Sequence, residues 1–380
     1  MAKLDDLFKV MVNNGASDLH LSSGAVPSLR IHGDIQPLNY RALSDKECKA
    51  LIYEILSPEQ RNKVDTDWEL DCSYSLEGVG RFRCNVFHQR KGLGAVFRHI
   101  PTEIKTLEEL NLPAGLKDIL KAKKGLCLVT GPTGSGKSTT LAAMVDYLNK
   151  NHAYHILTIE DPIEFVHENQ QSLVNQREVG GNTKSFAKAL KASLREDPDV
   201  ILVGEMRDLE TIGLAITAAE TGHIVFGTLH TMSAPKTIDR IIDSFPEEQQ
   251  AQIRVMLSES LKAVISQALL KKKGGGRIAA LEIMTANTAI RNLIREGKTF
   301  QIASAMQTAS RDGMQTMDSV VQDFLDMGLI TPEVAEPYLN SKKIRIPTAA
   351  NSQPAGQQQG GISPVTGKRF QMPTFGKKSG

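Results

Sequence analysis

Along the first hundred residues the apolar positions change period twice. Leu4, Leu7, Phe8 and Met11 recur at helical spacing, and Gly15 closes that helix. Asp18-Leu19-His20-Leu21 and Leu29-Arg30-Ile31 then alternate as strands about a Gly33-Asp34 turn. A helix is predicted over residues 45–56, with Ser57-Pro58 marking its end. Beyond Asp67 the pattern becomes a sheet meander, with strands predicted over 68–72, 81–87 and 94–98 and glycines at Gly78, Gly80 and Gly92 between them. These elements make residues 1–100 a small N-terminal α+β domain, and 101–113 reads as a linker.

Residues 114–346 read differently. Short apolar runs at 126–130, 156–159, 200–203 and 224–229 alternate with helical patterns. Such runs imply a mainly parallel sheet covered on both faces, an α/β domain. From Gln249 the pattern is mostly helical, with one further strand predicted over 278–283. Lys271-Lys272-Lys273 before Gly274-Gly275-Gly276 reads as a solvated loop. Over 347–380 Pro, Gly, Gln and Ser dominate, and too little is apolar to be buried, so a disordered tail is expected.

Composition excludes more than it selects. The 380 residues are 41% hydrophobic and 23% charged, ordinary for a globular protein of two or more domains. A net charge of +2 and 5% aromatics give no basic groove with stacking rings, so no nucleic-acid partner is expected. Cys48, Cys72, Cys84 and Cys127 are scattered without C-x-x-C spacing, which predicts reduced thiols in a cytosolic protein. The N-terminus has no signal-like apolar region, and no apolar run approaches the ~20 residues of a membrane span.

The chemistry begins at Gly131-Pro132-Thr133-Gly134-Ser135-Gly136-Lys137-Ser138. It follows an apolar strand and opens a helix at Thr139, the context a phosphate-binding P-loop requires. Glycines let backbone N–H groups converge on a polyphosphate, and the helix N-terminus adds its dipole. Lys137 is positioned to neutralise β/γ oxygens and Ser138 to hold Mg²⁺ through its hydroxyl. The predicted ligands are therefore a nucleoside triphosphate and Mg²⁺.

Turnover also needs carboxylates. Thr158-Ile159-Glu160-Asp161-Pro162-Ile163-Glu164 ends one strand, and the apolar run ending in Gly204-Glu205 is Walker-B-like. In an open α/β sheet both clusters project to the edge that carries the P-loop. A third strand end carries His230, which suits a γ-phosphate sensor and equally a hydrogen-bonded strand end. In the small domain Arg81 and Arg83 share one strand face and Arg98 ends the next strand. By themselves these favour a solvent-facing charged strand over a nucleotide contact.

Together, the P-loop, "TIEDPIE", "DPDVILVGEMRD" and "TGHIVFGTLHT" resemble the Walker A, Asp box, Walker B and His box of the secretion ATPases of type II secretion and type IV pili. "SDLHLSSGAVPSLRIHGDI", "GRFRCNVFHQRKGLGAVFRHIP" and "AIRNLIREGK" resemble the pilus-retraction branch of that family, and the likeness spans about residues 1–345. The resemblance implies a PAS-like N-terminal domain, a RecA-like ATPase domain and a homohexameric motor that drives pilus retraction with ATP and Mg²⁺. It implies Glu164 as the base that activates water, Glu205 acting on Mg²⁺ through water, and His230 near the γ-phosphate. It also implies Arg83 and Arg98 as small-domain arginines reaching the nucleotide. Residues Ala289, Ile290, Arg291, Asn292, Leu293, Ile294, Arg295, Glu296, Gly297 and Lys298 match a segment tied to retraction. In this sequence Ile290, Leu293 and Ile294 form its apolar face and leave Arg291, Arg295 and Lys298 exposed. The partners implied are an inner-membrane platform protein and an accessory paralogous ATPase, at a cytoplasmic location peripheral to the inner membrane.

Three other readings compete. Assembly ATPases of the family typically carry a four-cysteine zinc motif, which is missing here, and "AIRNLIREGK" argues for the principal over an accessory retraction motor. A RecA-like nucleic-acid translocase lacks its charge signature. A scaffold without turnover is at odds with intact Lys137, Ser138, Glu164 and Glu205.

Overall fold

A computed structural model describes residues 3–31, 33–100, 103–309 and 313–339. The predicted tail at 347–380 lies outside them.

Two sheets organise the chain. The smaller has six antiparallel strands, β1 (Asp18–Ser22), β2 (Ser28–Ile31), β3 (Asp34–Pro37), β4 (Glu69–Leu76), β5 (Gly80–Gln89) and β6 (Gly92–Ile100), in the order β3-β2-β1-β6-β5-β4. Helices α1 (Lys3–Asn13), α2 (Asp45–Glu54) and α3 (Pro58–Asp67) accompany it. Leu4, Phe8 and Met11 of α1 join Leu19, Phe82, Val86 and Phe97 in one buried cluster. Helix α2 ends before Ser57-Pro58, as expected, and the same dipeptide also starts α3. Ser57 and Gln60 form a capping box, and Pro58 sits where a missing N–H costs nothing. Trp68, expected in a strand, closes α3 in the left-handed region with φ 63°.

The larger sheet has seven strands. These are β7 (Gly125–Thr130), β8 (His155–Glu160), β9 (Leu173–Glu178), β10 (Val200–Val203), β11 (Ile224–Leu229), β12 (Leu261–Lys271) and β13 (Arg277–Thr285), in the order β13-β12-β7-β11-β10-β8-β9. All pairs are parallel except β12–β13. Alternate residues of β7 feed opposite faces: Leu126 and Leu128 enter one core, Cys127 and Val129 the other. Helix α4 (Gly115–Leu120) and helix α5 (Lys137–Asn151) pack on the second face. Helices α6 (Phe186–Ser193), α7 (Leu209–Glu220), α8 (Ala234–Ile242), α9 (Glu247–Ser260) and α10 (Thr288–Arg295) pack on the first. Helices α11 (Ile302–Thr308), α12 (Met317–Asp326) and α13 (Pro332–Ala335) complete the described chain.

One expectation needs correction. The chain after Gln249 carries the expected strand over 278–283, as β13, but also a second one before it. It turns directly from α9 into β12, which pairs with β7 and forms a hairpin with β13. Leu261–Lys271 is buried on both faces, so it shows no alternation that separates it from a helix. Within 101–113, Leu107 and Leu112 are buried in the core beneath the larger sheet. The four cysteines are free and buried. Among the described residues, no helix is long and apolar enough to cross a membrane.

Candidate active site

The chain reverses from β7 into α5 through residues 131–136, where three glycines take left-handed backbone angles: Gly131 (142°), Gly134 (80°) and Gly136 (90°). Gly131 has no room for a side chain, because a Cβ there would lie 2.3 Å from the Gln267 carbonyl oxygen. Helix α5 begins on Gly136 with no side-chain cap, so its first N–H groups have no local acceptor. The hydroxyl of Ser135 is buried without a hydrogen-bond partner. The Lys137 ammonium folds onto its own loop, donating to the carbonyls of Gly131 (2.7 Å) and Pro132 (3.2 Å). Burial lowers the Lys137 pKa, and the charges of Glu205 and Glu164 oppose that shift. Uncapped N–H groups, an unpartnered hydroxyl and a lysine on carbonyls are donors arranged around an anion, and they fit a polyphosphate.

The adjacent strand ends bring acidic groups to the same edge. Glu205, two residues beyond β10, accepts from Arg207 and meets His230 Nε2, beyond β11, at 2.9 Å. Burial acts to raise the Glu205 pKa, but Arg207 and His230 together bring it below the usual carboxylate value. His230 therefore has a carboxylate partner, which the sequence did not specify.

At the end of β8, Glu160 accepts from Thr158 Oγ1 (2.6 Å) and Gln176 Nε2 (3.2 Å). It shares with Ser138, Gly204 and Thr228 the lining of a cavity of about 40 Å³. Burial raises its pKa, and the charge of Glu164 adds to the rise. Glu164 follows on the Asp161–Glu164 loop. Its charge reaches both Lys137 and Arg83. Glu160, Glu164, Glu205, His230 and Lys137 thus converge on the P-loop edge.

The family is settled by comparison. A model for the family described as "Type II/IV secretion system protein" matches residues 3–333. This chain belongs to that family. The type IV pilus retraction ATPase PilT of Pseudomonas aeruginosa is 56% identical over 344 residues, 90% of this chain and 98% of the relative. The type IV pilus ATPase PilU of the same organism is 40% identical over 340 residues, 89% of each chain. Among solved structures, the pilus retraction motor PilT with bound ADP superimposes with a TM-score of 0.85 at 50% identity, covering 90% of this chain and 99% of that one.

In this secretion-family chain the small-domain arginines divide. Arg83 pairs with Asp71 on β4, which raises its pKa, with further contributions from Glu164 and Asp161. Arg98 lies beside Arg83 across the β5–β6 ladder, yet its partner is Asp18 (Nε–Oδ1 2.9 Å) and its side chain is 67% exposed. The structure brings Arg83, and not Arg98, to the acidic loop. Arg81 is not the solvent-facing residue expected: its side chain is 16% exposed and pairs with Glu178 of β9.

The segment over 289–298 forms most of α10 and its C-terminal turn. Asn287 caps it, Ile290 and Ile294 are fully buried, and Gly297 turns the chain with φ 68°. Arg295 and Lys298 are exposed, while Arg291 is half-buried and donates from Nε to the Ala286 carbonyl (2.7 Å). Sequence reasoning missed Gln267 and Glu178. Gln267 lies in the unpredicted β12, where it donates to the Ser135 carbonyl and accepts from Thr140. Glu178 ends the unpredicted β9.

Proposed function

We propose that this protein is an ATP-driven, hexameric motor for type IV pilus retraction. The observation that carries the reading is the convergence of Lys137, Glu164 and the Glu205–His230 pair at one sheet edge. Its likeness to PilT over nearly the whole length of both chains adds the biological direction, and the lower identity to PilU favours the principal motor over the accessory one.

The P-loop N–H groups of residues 131 and 133–139 cradle the phosphates, and Lys137 leaves its carbonyls to meet the β/γ oxygens. Ser138 would hold Mg²⁺ directly and Glu205 through water, where the ion would neutralise charge on the phosphates. Glu164 takes the proton of the attacking water. His230, oriented by Glu205, reports the terminal phosphate. Arg83 sits beside Glu164 and supplies cationic charge from the smaller domain, and Arg98 joins it only if the small sheet shifts. Residues 1–100 and 114–346 act as two bodies joined at 101–113. Loss of the terminal phosphate weakens charge-assisted bonds between them, and a ring of such subunits converts the loosening into movement of a membrane platform protein. The exposed residues of 289–298 serve that transmission, and an accessory paralogue works on the same machine at the cytoplasmic face of the inner membrane.

Deleting the gene in its host and scoring pili and surface motility tests the reading. Hyperpiliated, immotile cells, restored by the wild type but not by Glu164→Ala, are expected. Bald cells would mean an assembly motor, and ATPase activity driven by DNA would mean a translocase.

A further inference from the structure

We propose that Glu178 is a positioning residue that lets the small sheet set the orientation of the Glu164 loop. The inference rests on the ATPase reading above.

The Glu178 carboxylate lies where three separate parts of the chain meet. Ser73 Oγ of β4 donates to its two oxygens (2.9 and 3.2 Å), Arg81 Nη2 of β5 pairs with Oε2 (2.5 Å), and the Ile163 N–H donates to Oε2 (3.0 Å). Arg81 Nη2 also donates to Ser73 Oγ (2.7 Å), which fixes the hydroxyl as a donor to Glu178. The first two partners belong to the small sheet, and the third is the residue before Glu164. A carboxylate only accepts, so all three donors compete for one group, and its rotamer must satisfy them together.

The loop has few other holds. Pro162 has no N–H. The Ile163 N–H goes to Glu178, so this anchor of the loop is shared with the small sheet. Moving that sheet away withdraws Arg81 and Ser73, releases the Glu178 rotamer and frees the peptide that aims Glu164.

The clasp is also built to open. Arg81 engages through one nitrogen, and its Nε–H is buried without an acceptor. A single-pronged pair lacks the fixed geometry of a bidentate fork. Both side chains are 16% exposed, so separation rehydrates both charges and offsets part of the lost attraction.

The test measures steady-state ATP turnover and the affinity for a fluorescent ADP analogue in the full-length protein. Glu178→Gln and Arg81→Ala are each expected to lower kcat about tenfold or more, since small misplacements of a catalytic group have effects of that size. Nucleotide affinity stays within about twofold, and the double variant is no slower than the slower single one, because both changes cut one linkage. Arg81→Lys, which keeps the cation, recovers most of the turnover. If Glu178→Gln does not fold, Ser73→Ala with Arg81→Lys carries the same expectation in milder form. Unchanged kcat in a folded Glu178→Gln variant, losses that multiply, or kcat and affinity falling together would overturn the proposal. A wild-type protein without ATP turnover would overturn the underlying reading as well, whereas an active wild type without the split sinks the coupling alone.

Discussion

Replacing Gln267 by leucine keeps the volume of a side chain that is 3% exposed and removes two buried hydrogen bonds. The Ser135 carbonyl loses its donor at 2.7 Å, and the Thr140 hydroxyl loses its acceptor at 2.8 Å. A net hydrogen bond is worth about 1 kcal/mol, and a buried group left unsatisfied costs about 1–3 kcal/mol. The Thr140 hydroxyl sits one turn beyond Gly136 and can turn back to that carbonyl, so its loss is largely recovered. Ser135 has no such alternative in its own loop. About 1.5–3 kcal/mol therefore falls on the conformation of the P-loop. If the binding-competent loop loses that much stability, apparent affinity falls by the fraction remaining, about 10- to 100-fold. Titration with a fluorescent ADP analogue measures it, and a thermal melt confirms that the sheet is intact. Gln267→Glu keeps the acceptor for Thr140 but turns an oxygen toward the Ser135 carbonyl, so it should be no better than leucine. A folded Gln267→Leu protein that binds nucleotide within about twofold of wild type would show that the loop does not depend on β12.

Gly131→Ala should lower the melting temperature more than Gly134→Ala. Both incur left-handed strain of about 1–2 kcal/mol, and the Gly131 Cβ, 2.3 Å from a backbone oxygen, adds about 1–3 kcal/mol of overpacking. Equal shifts in differential scanning fluorimetry would contradict the packing. His167 has a pKa lowered to about 4 by burial, below the ordinary 6.5. Between those values the unfolded chain binds a proton that the folded one does not, so stability falls as pH drops from 6.5 towards 4, by roughly 3 kcal/mol. His167→Gln should flatten that limb of a urea-midpoint profile against pH, and an unchanged slope would assign it elsewhere. Charge reversal at Arg295, which is exposed, should spare ATPase activity and impair twitching, with motility on agar and phosphate release as paired readouts. Arg291→Glu also cuts the bond to the Ala286 carbonyl and should cost about 1 kcal/mol of stability besides.

The parallel core of the larger sheet was legible because its strands are buried on both faces and contain little but apolar residues. Residues 200–203 and 224–229 coincide with β10 and β11, and 126–130 and 156–159 fall within β7 and β8. The P-loop was equally plain, since its glycines are required by backbone geometry. Edge and hairpin strands were not. In β9 the run Asn175-Gln176-Arg177-Glu178 is polar because it lies at the sheet edge, where no second neighbour demands apolar pairs. Strand β12 is Ala- and Leu-rich and follows a helix without a break, so its period points to neither element. The two positioning residues lie on these two strands, Glu178 on β9 and Gln267 on β12, and no local pattern marks either. Their partners are 105 and 132 residues away in sequence, for Ser73 and Ser135 respectively. Ser57-Pro58 shows a further limit, because the same dipeptide ends one helix and caps the next.

The glutamates at the P-loop edge are pushed in different directions, and the differences argue for separate duties. Arg207 and His230 hold Glu205 ionised, its pKa below the ordinary carboxylate value. It is a fixed negative charge beside a histidine, suited to orienting that ring and to attracting a cation. Burial holds Glu160 the other way, and Thr158 and Gln176 both donate to its Oε1. A carboxylate so engaged ties the end of β8 to β9. Glu164 differs from both. No described residue donates a hydrogen bond to its carboxylate, although its charge is felt by Lys137 and Arg83 on either side. The backbone just before it is anchored through the Ile163 N–H while its side chain is not, which is the arrangement a general base needs: fixed origin, free oxygens, cations near enough to hold substrate but not bonded to the base itself. If Glu160 were the base instead, it would have to act from a buried site in which Thr158 and Gln176 already hold one of its oxygens.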